Sequence, residues 1–231
     1  MWGDPDTAIG GDRERFPSTQ VSLIASAAGE PLAMERVTAL YWKPVYKFIR
    51  LKFRKDNEAA KDLTQGFFAS ALEREFFQRF DPAKAGFRTY LRLAVERFAA
   101  TEHEAENRQK RGGGVEFVEL DTEAASTASP EEIFLQEWRR QLFTLALEDL
   151  RDDCARAGKN VQWQVFEAYD LAEGERPSYA ELARRYGVAE TSVTNYLAWA
   201  RRRLRAFVTD RLRGVTATEG EFRAELRRLW S

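Results

Sequence analysis

A chain of 231 residues, 44% hydrophobic and 32% charged, can bury the core of one large or two small domains and is not a disordered polymer. Its single cysteine, Cys154, excludes an internal disulfide and a cysteine metal cluster, and its single histidine, His103, argues against a histidine-held metal or a Ser-His-Asp triad. The formal charge of −1 hides a division along the chain, because residues 176–213 carry nine arginines against three acids, a local +6, whereas residues 112–132 carry six acids and no Lys or Arg.

Alanine, leucine, arginine and glutamate dominate, and no stretch alternates apolar with polar residues as a half-buried strand would. An all-α fold is expected. The opening MWGDPDTAIGGDR has no basic segment followed by an apolar one, so no signal peptide is expected. No run approaches the ~18–20 apolar residues of a membrane span, and the expected location is the cytoplasm.

Residues 1–20 read as a loose leader. Helical periodicity starts near Val21, and Leu40, Trp42, Val45, Tyr46, Phe48, Ile49 and Phe53 mark a strongly apolar helix with Pro44 near an expected kink or break. Arg54-Lys55-Asp56-Asn57 ends it, and Asp56 or Asn57 can cap the next helix, which carries Leu63, Phe67, Phe68, Ala71 and Leu72 on one stripe. The turn composition Asp81-Pro82-Ala83-Lys84-Ala85-Gly86 leads into a long helix from Phe87 to about Arg111, stopped by Gly112-Gly113-Gly114. Glycines, acids and small polar residues make 112–130 a linker, so one domain is placed at 21–111 and a second at 131–213. Ser129 is the expected cap of the helix that follows. A tail at 214–231 shows an amphipathic pattern in Phe222, Leu226, Leu229 and Trp230, expected to pack on the second domain or to meet a regulator.

The richest local signal spans Arg176 to Leu204. Ser178 and Glu181 form a capping box, Gly187 stands at a sharp turn, and Val188 follows as the apolar residue that tucks the turn inward. Val193, Leu197, Ala200 and Leu204 then form one buried stripe, leaving Thr191, Ser192, Thr194, Asn195, Arg201 and Arg202 on the opposite side. Short hydroxyl and amide groups early in a helix, with arginines behind them, suit a major-groove reader: the first reach base edges and the second reach phosphates. The pattern is a helix-turn-helix in a basic segment. Ala189 departs from it, standing where Ser or Thr would cap the reading helix.

Two further segments carry a family resemblance. Asp62-Leu63-Thr64-Gln65 with Phe67-Phe68 resembles the region 2 signature of extracytoplasmic-function sigma factors of the sigma-70 family. Phe87-Arg88-Thr89-Tyr90-Leu91 after the Asp81-Pro82 turn, and the basic end Asn107-Arg108-Gln109-Lys110-Arg111, are similar to the same family, and the helix-turn-helix stands where its region 4 stands. The resemblance covers Val21 to Arg213.

It implies a promoter-melting domain linked to a −35-reading domain, with the RNA polymerase core (its clamp helices and flap) and promoter DNA as partners. Asp62 and Gln65 would lie on the polymerase interface. Phe87, Arg88 and Tyr90 would capture a base of the −10 element, while Arg92, Arg97, Asn107, Arg108, Lys110 and Arg111 would contact its backbone. Thr191, Ser192, Thr194, Asn195, Arg201 and Arg202 would contact the −35 element. Where many members have an acidic D-A-E-D run, this chain has Ala59-Ala60-Lys61-Asp62, which points to weak polymerase binding relieved by a Ser/Thr kinase acting at Thr64. An anti-sigma factor is a further candidate partner.

A stand-alone helix-turn-helix regulator is the alternative, but the N-terminal half shows neither coiled-coil heptads nor a ligand-pocket motif. No P-loop, dinucleotide fingerprint, metal spacing or nucleophile motif is present, so neither enzymatic activity, a cofactor nor a metal is expected.

Overall fold

The computed structural model describes residues 31–73, 76–110 and 128–230, and these form eight α-helices and no strand. The expected helix near Val21 and most of the 112–130 linker lie outside the described residues. None of the described helices is long and apolar enough to cross a membrane.

The first core is built by α1 (Pro31–Lys52), α2 (Asn57–Glu73) and α3 (Phe87–Lys110). Val37, Tyr41, Val45, Phe48 and Ile49 recur at three- and four-residue steps along α1, and all are fully buried. The helix runs unbroken through Pro44, itself buried, so the expected break does not occur. A proline costs the helix one hydrogen bond and some crowding, and the apolar stripe on both sides of Pro44 outweighs that loss. Asp56 caps α2, its Oδ1 accepting the Ala59 N–H at 2.8 Å. Asp81 orders the turn before α3 by accepting the Ala83 N–H at 3.0 Å.

The second core holds Leu150, Cys154, Val165, Phe166, Leu182, Val193, Leu197 and Ala200. It is formed by α4 (Pro130–Arg156), α5 (Asn160–Phe166), a π-helical turn (Glu167–Leu171), α6 (Tyr179–Tyr186) and α7 (Glu190–Gly214). Ser129 caps α4 in a reciprocal box with Glu132.

The two cores share helices. Phe134, Trp138, Leu142, Leu145 and Ala146 of α4 lie in the first core, and only its last two turns reach the second. Gln141 donates to the Ala39 carbonyl at 3.0 Å, and Lys47 pairs with the buried Glu137 at 3.0 Å, tying α4 along α1. Likewise α7 begins in the second core and ends, at Val208 and Leu212, in the first. The first helix after residue 130 therefore contributes most of its length to the first core.

The tail forms α8 (Glu219–Trp230), which packs into the first core and against α4 and the C-terminal half of α7. Phe222 is buried there, and the Trp230 ring meets Phe143 of α4 edge-on at 5.8 Å.

Candidate nucleic-acid interface

The helix-turn-helix is α6, a tight turn, and α7. Ser178 Oγ accepts the Glu181 N–H at 3.3 Å while the Glu181 carboxylate accepts the Ser178 N–H at 2.8 Å, so the start of α6 is fixed from both sides. Gly187 ends α6 at φ 65°, ψ 37°, the left-handed conformation that a Cβ penalises. The Val188 N–H then returns to the Ala183 carbonyl at 3.0 Å, and α7 starts two residues later. Ala189 caps it without a side-chain bond.

Val193, Leu197 and Ala200 face inward, so Thr191, Thr194 and Asn195 are exposed on the first two turns and Arg202 on the fourth, with Ser192 half-buried at the edge. This is the arrangement a base-reading helix needs: uncommitted short polar groups on its N-terminal half. Arg201 is different. Its guanidinium makes a two-pronged pair with Asp170 on the π-helical turn, at 2.8 Å for both bonds, so it braces α7 against the element before it. Arg184 and Arg185, in the last turn of α6, are exposed and line an open cleft with Arg176 and Pro177. In sequence they are two of the nine arginines of the basic segment, and a position at a helix C-terminus also suits an arginine through the helix dipole.

Arg203 of α7 grips Asp153 of α4 with Nε at 2.8 Å, and this bond holds the Asp153 carboxyl below its ordinary range. Lys52 does the same to Glu131 across the first core. A carboxylate with a depressed pKa stabilises the fold above its unfolded pKa, and the contribution is lost as pH falls through the folded value. Thermal unfolding should therefore be insensitive to pH near neutrality and decline below about pH 4. Asp153→Asn, followed by circular dichroism across that range, should show a smaller decline than the parent chain.

On the first bundle, Asp62 and Gln65 are exposed on α2, beside a shallow groove lined by Ala59, Leu63, Gly66 and Phe98. Thr64, between them, is fully buried and its hydroxyl donates to the Ala60 carbonyl at 2.7 Å. In this conformation the hydroxyl is closed to a kinase. Lys61 is partly neutralised by Glu58 at 2.8 Å.

The start of α3 corrects the expectation for Phe87. Its ring is 0% exposed and sits within a cluster of Tyr41, Phe77 and Phe80, with the Phe80 ring edge-on at 5.3 Å. It is a core residue with no face for a base. Tyr90 is part-buried, stacks on Phe76 at 4.8 Å and donates its hydroxyl to the Phe76 carbonyl at 2.8 Å. Arg88 pairs with Glu225 of α8 at 2.8 Å and lies over the Trp138 ring. Arg92 reaches Glu96 and Glu131 at 3.5 and 3.6 Å. Arg97 is exposed. Asn107, Arg108 and Lys110 extend the same helix, with their side chains outside the described residues, as is Arg111 entirely.

A helical bundle with an exposed acid-and-amide pair on α2, followed by a helix-turn-helix, is thus laid out along one chain. A family model described as "ECF sigma factor" matches residues 20–210. The chain belongs to the ECF sigma factor family. It is an RNA polymerase sigma factor, which directs the polymerase to specific promoters and initiates transcription there, with the core enzyme and promoter DNA as its partners. No curated protein and no solved structure matches it significantly. The match covers the second core and most of the first and stops within α7, so α8 lies beyond it.

Proposed function

We propose that this sigma factor divides its work between three surfaces. The outer face of α2, with Asp62 and Gln65, docks the polymerase clamp. The first two turns of α7 read the −35 element through Thr191, Thr194 and Asn195, with Ser192 at their edge. Arg202 of α7, together with Arg184 and Arg185 at the end of α6, meets the phosphates on either side. The side of α3 that carries Arg92 and the exposed Arg97, with Arg88 covered by α8 at its start, follows the −10 region. Arg201 acts through Asp170, as a positioning residue that sets the angle of α7.

The observation that carries this reading is the separation of jobs on α7: the inward stripe packs, and the short polar groups opposite it make no bond to the rest of the chain among the described residues. An anti-sigma factor that held this protein would act by covering α2 or α7. Thr64 as a phosphorylation site has no support from its position inside the bundle.

The polymerase face is tested by titrating fluorescently labelled full-length protein with core polymerase. Asp62→Arg with Gln65→Arg should weaken binding at least about tenfold, because two cations meet a surface matched to an acid and an amide. Asn195→Ala should bind core polymerase as the parent does. Equal loss in both variants would contradict the assignment of separate surfaces.

A further inference from the structure

The helix that follows the family match closes over the start of α3. Glu221 Oε1 accepts the Phe87 N–H at 2.7 Å, and its Oε2 accepts the Ala217 N–H at 2.8 Å. One turn on, Glu225 takes Arg88 at 2.8 Å, with side-chain exposures of 10% and 15% for the pair. Two carboxylates of α8 thus sit on the free N–H end of α3 and on its first arginine, where unpaired backbone donors and the helix dipole favour an anion. A carboxylate oxygen on a helix N-terminus and a second on an arginine present the same chemistry as two phosphates of a nucleic-acid strand.

The contact is not a relaxed one. Arg88 Nε and Glu225 Oε2 are buried with no hydrogen-bond partner among the described residues, so the pair that joins α8 to α3 leaves a polar atom unsatisfied on each side. Buried polar atoms without partners cost free energy that undocking would return. The rest of the helix is held by Phe222 in the core with Leu226 and Leu229 packed at its edge, by the Trp230 ring against Phe143, by Arg139 donating to the Arg228 carbonyl at 3.0 Å, and by Arg205 over the Trp230 ring at 4.9 Å.

We propose that α8 is an in-chain competitor of the DNA strand, its Glu221 and Glu225 occupying the start of α3 until the helix undocks. The proposal rests on the reading above that this side of α3 faces the −10 strand. While α8 is docked, Arg88 and the α3 terminus are unavailable, and the apparent affinity of that face for DNA is reduced by the fraction of molecules that are open. Opening exposes Arg88 and the Phe87 N–H together, so one event completes the strand-binding edge.

The test uses the full chain and a fluorescein-labelled, mixed-sequence single-stranded DNA of fifteen nucleotides at low salt, read by anisotropy. Glu221→Gln with Glu225→Gln should bind it about fivefold or more tighter than the parent. Adding Arg88→Ala to that pair should remove the gain. Gly86→Ala changes no charge, yet its Cβ would stand 2.7 Å from Glu221 Oε1 and must push that carboxylate aside, so it should move affinity in the same direction by less. Glu219→Gln, which removes one charge of α8 that pairs with Arg213 and Arg223, should bind like the parent. If the parent and the double variant bind equally well, α8 does not compete. If Arg88→Ala leaves the gain intact, or no form binds at all, the start of α3 is not a strand-binding face, and the underlying reading fails with it. Unchanged thermal unfolding of Gly86→Ala keeps the comparison valid should the double variant fold poorly.

Discussion

Alanine at both Thr191 and Asn195 should abolish most promoter-specific transcription by this sigma factor while leaving its fold and its polymerase binding intact. Both side chains are exposed on the first two turns of α7 and point away from the Val193–Leu197–Ala200 stripe. A good side-chain contact to a base edge is worth about 1–3 kcal/mol of discrimination, so two lost together should lower transcription about thirtyfold or more. Exposed substitutions that break no cap or core contact change stability by about 0.5 kcal/mol or less. Reporter transcription and thermal unfolding measured on the same preparation would separate the two effects. Arg201→Ala should look different, losing some stability as well as activity, because it releases Asp170. Parent-level transcription from the double variant would mean that α7 is not the reading helix.

Trp138→Ala should destabilise the whole protein by about 3–5 kcal/mol, the range for removing a buried large aromatic. Trp138 is 1% exposed and follows the linker in sequence, yet it belongs to the core that precedes the linker and supports the Arg88 guanidinium 4.8 Å from its ring. Its loss leaves a cavity between α4 and the first bundle and removes the platform under the Arg88–Glu225 pair. Urea unfolding followed by fluorescence of the remaining tryptophans and by circular dichroism should shift together. A loss confined to the first bundle, with the helix-turn-helix signal unfolding as in the parent, would show that the two cores unfold independently and that α4 does not couple them.

Local chemistry was legible in the sequence. Ser178 with Glu181, Gly187, Asp56 and Ser129 each bind or bend backbone within a few residues of themselves, so composition alone placed them. The inward stripe of α7 followed from spacing. What escaped was the choice of partner at long range. Phe87 is an aromatic residue at a helix start beside an arginine, a pattern that suits base capture and core packing equally, and only the rings of Tyr41, Phe77 and Phe80 around it decide for the core. The split of α4 between two cores was hidden because its apolar residues recur along the helix without saying which bundle each turn meets. The Glu221 bond spans 134 residues, and the amphipathic pattern of the tail announced a buried face without naming what it covers. Thr64 shows the same limit: the signature places it on α2, and only the fold puts it inside.

Run-off transcription with purified core polymerase, on DNA taken from upstream of the gene for this protein, tests the central claim most directly. The account predicts a discrete transcript that depends on adding the protein, disappears with Asp62→Arg and Gln65→Arg, and is strengthened by Glu221→Gln with Glu225→Gln. A transcript of unchanged strength from the Asp62 and Gln65 variant, or none from any form despite confirmed binding to core polymerase, would contradict it.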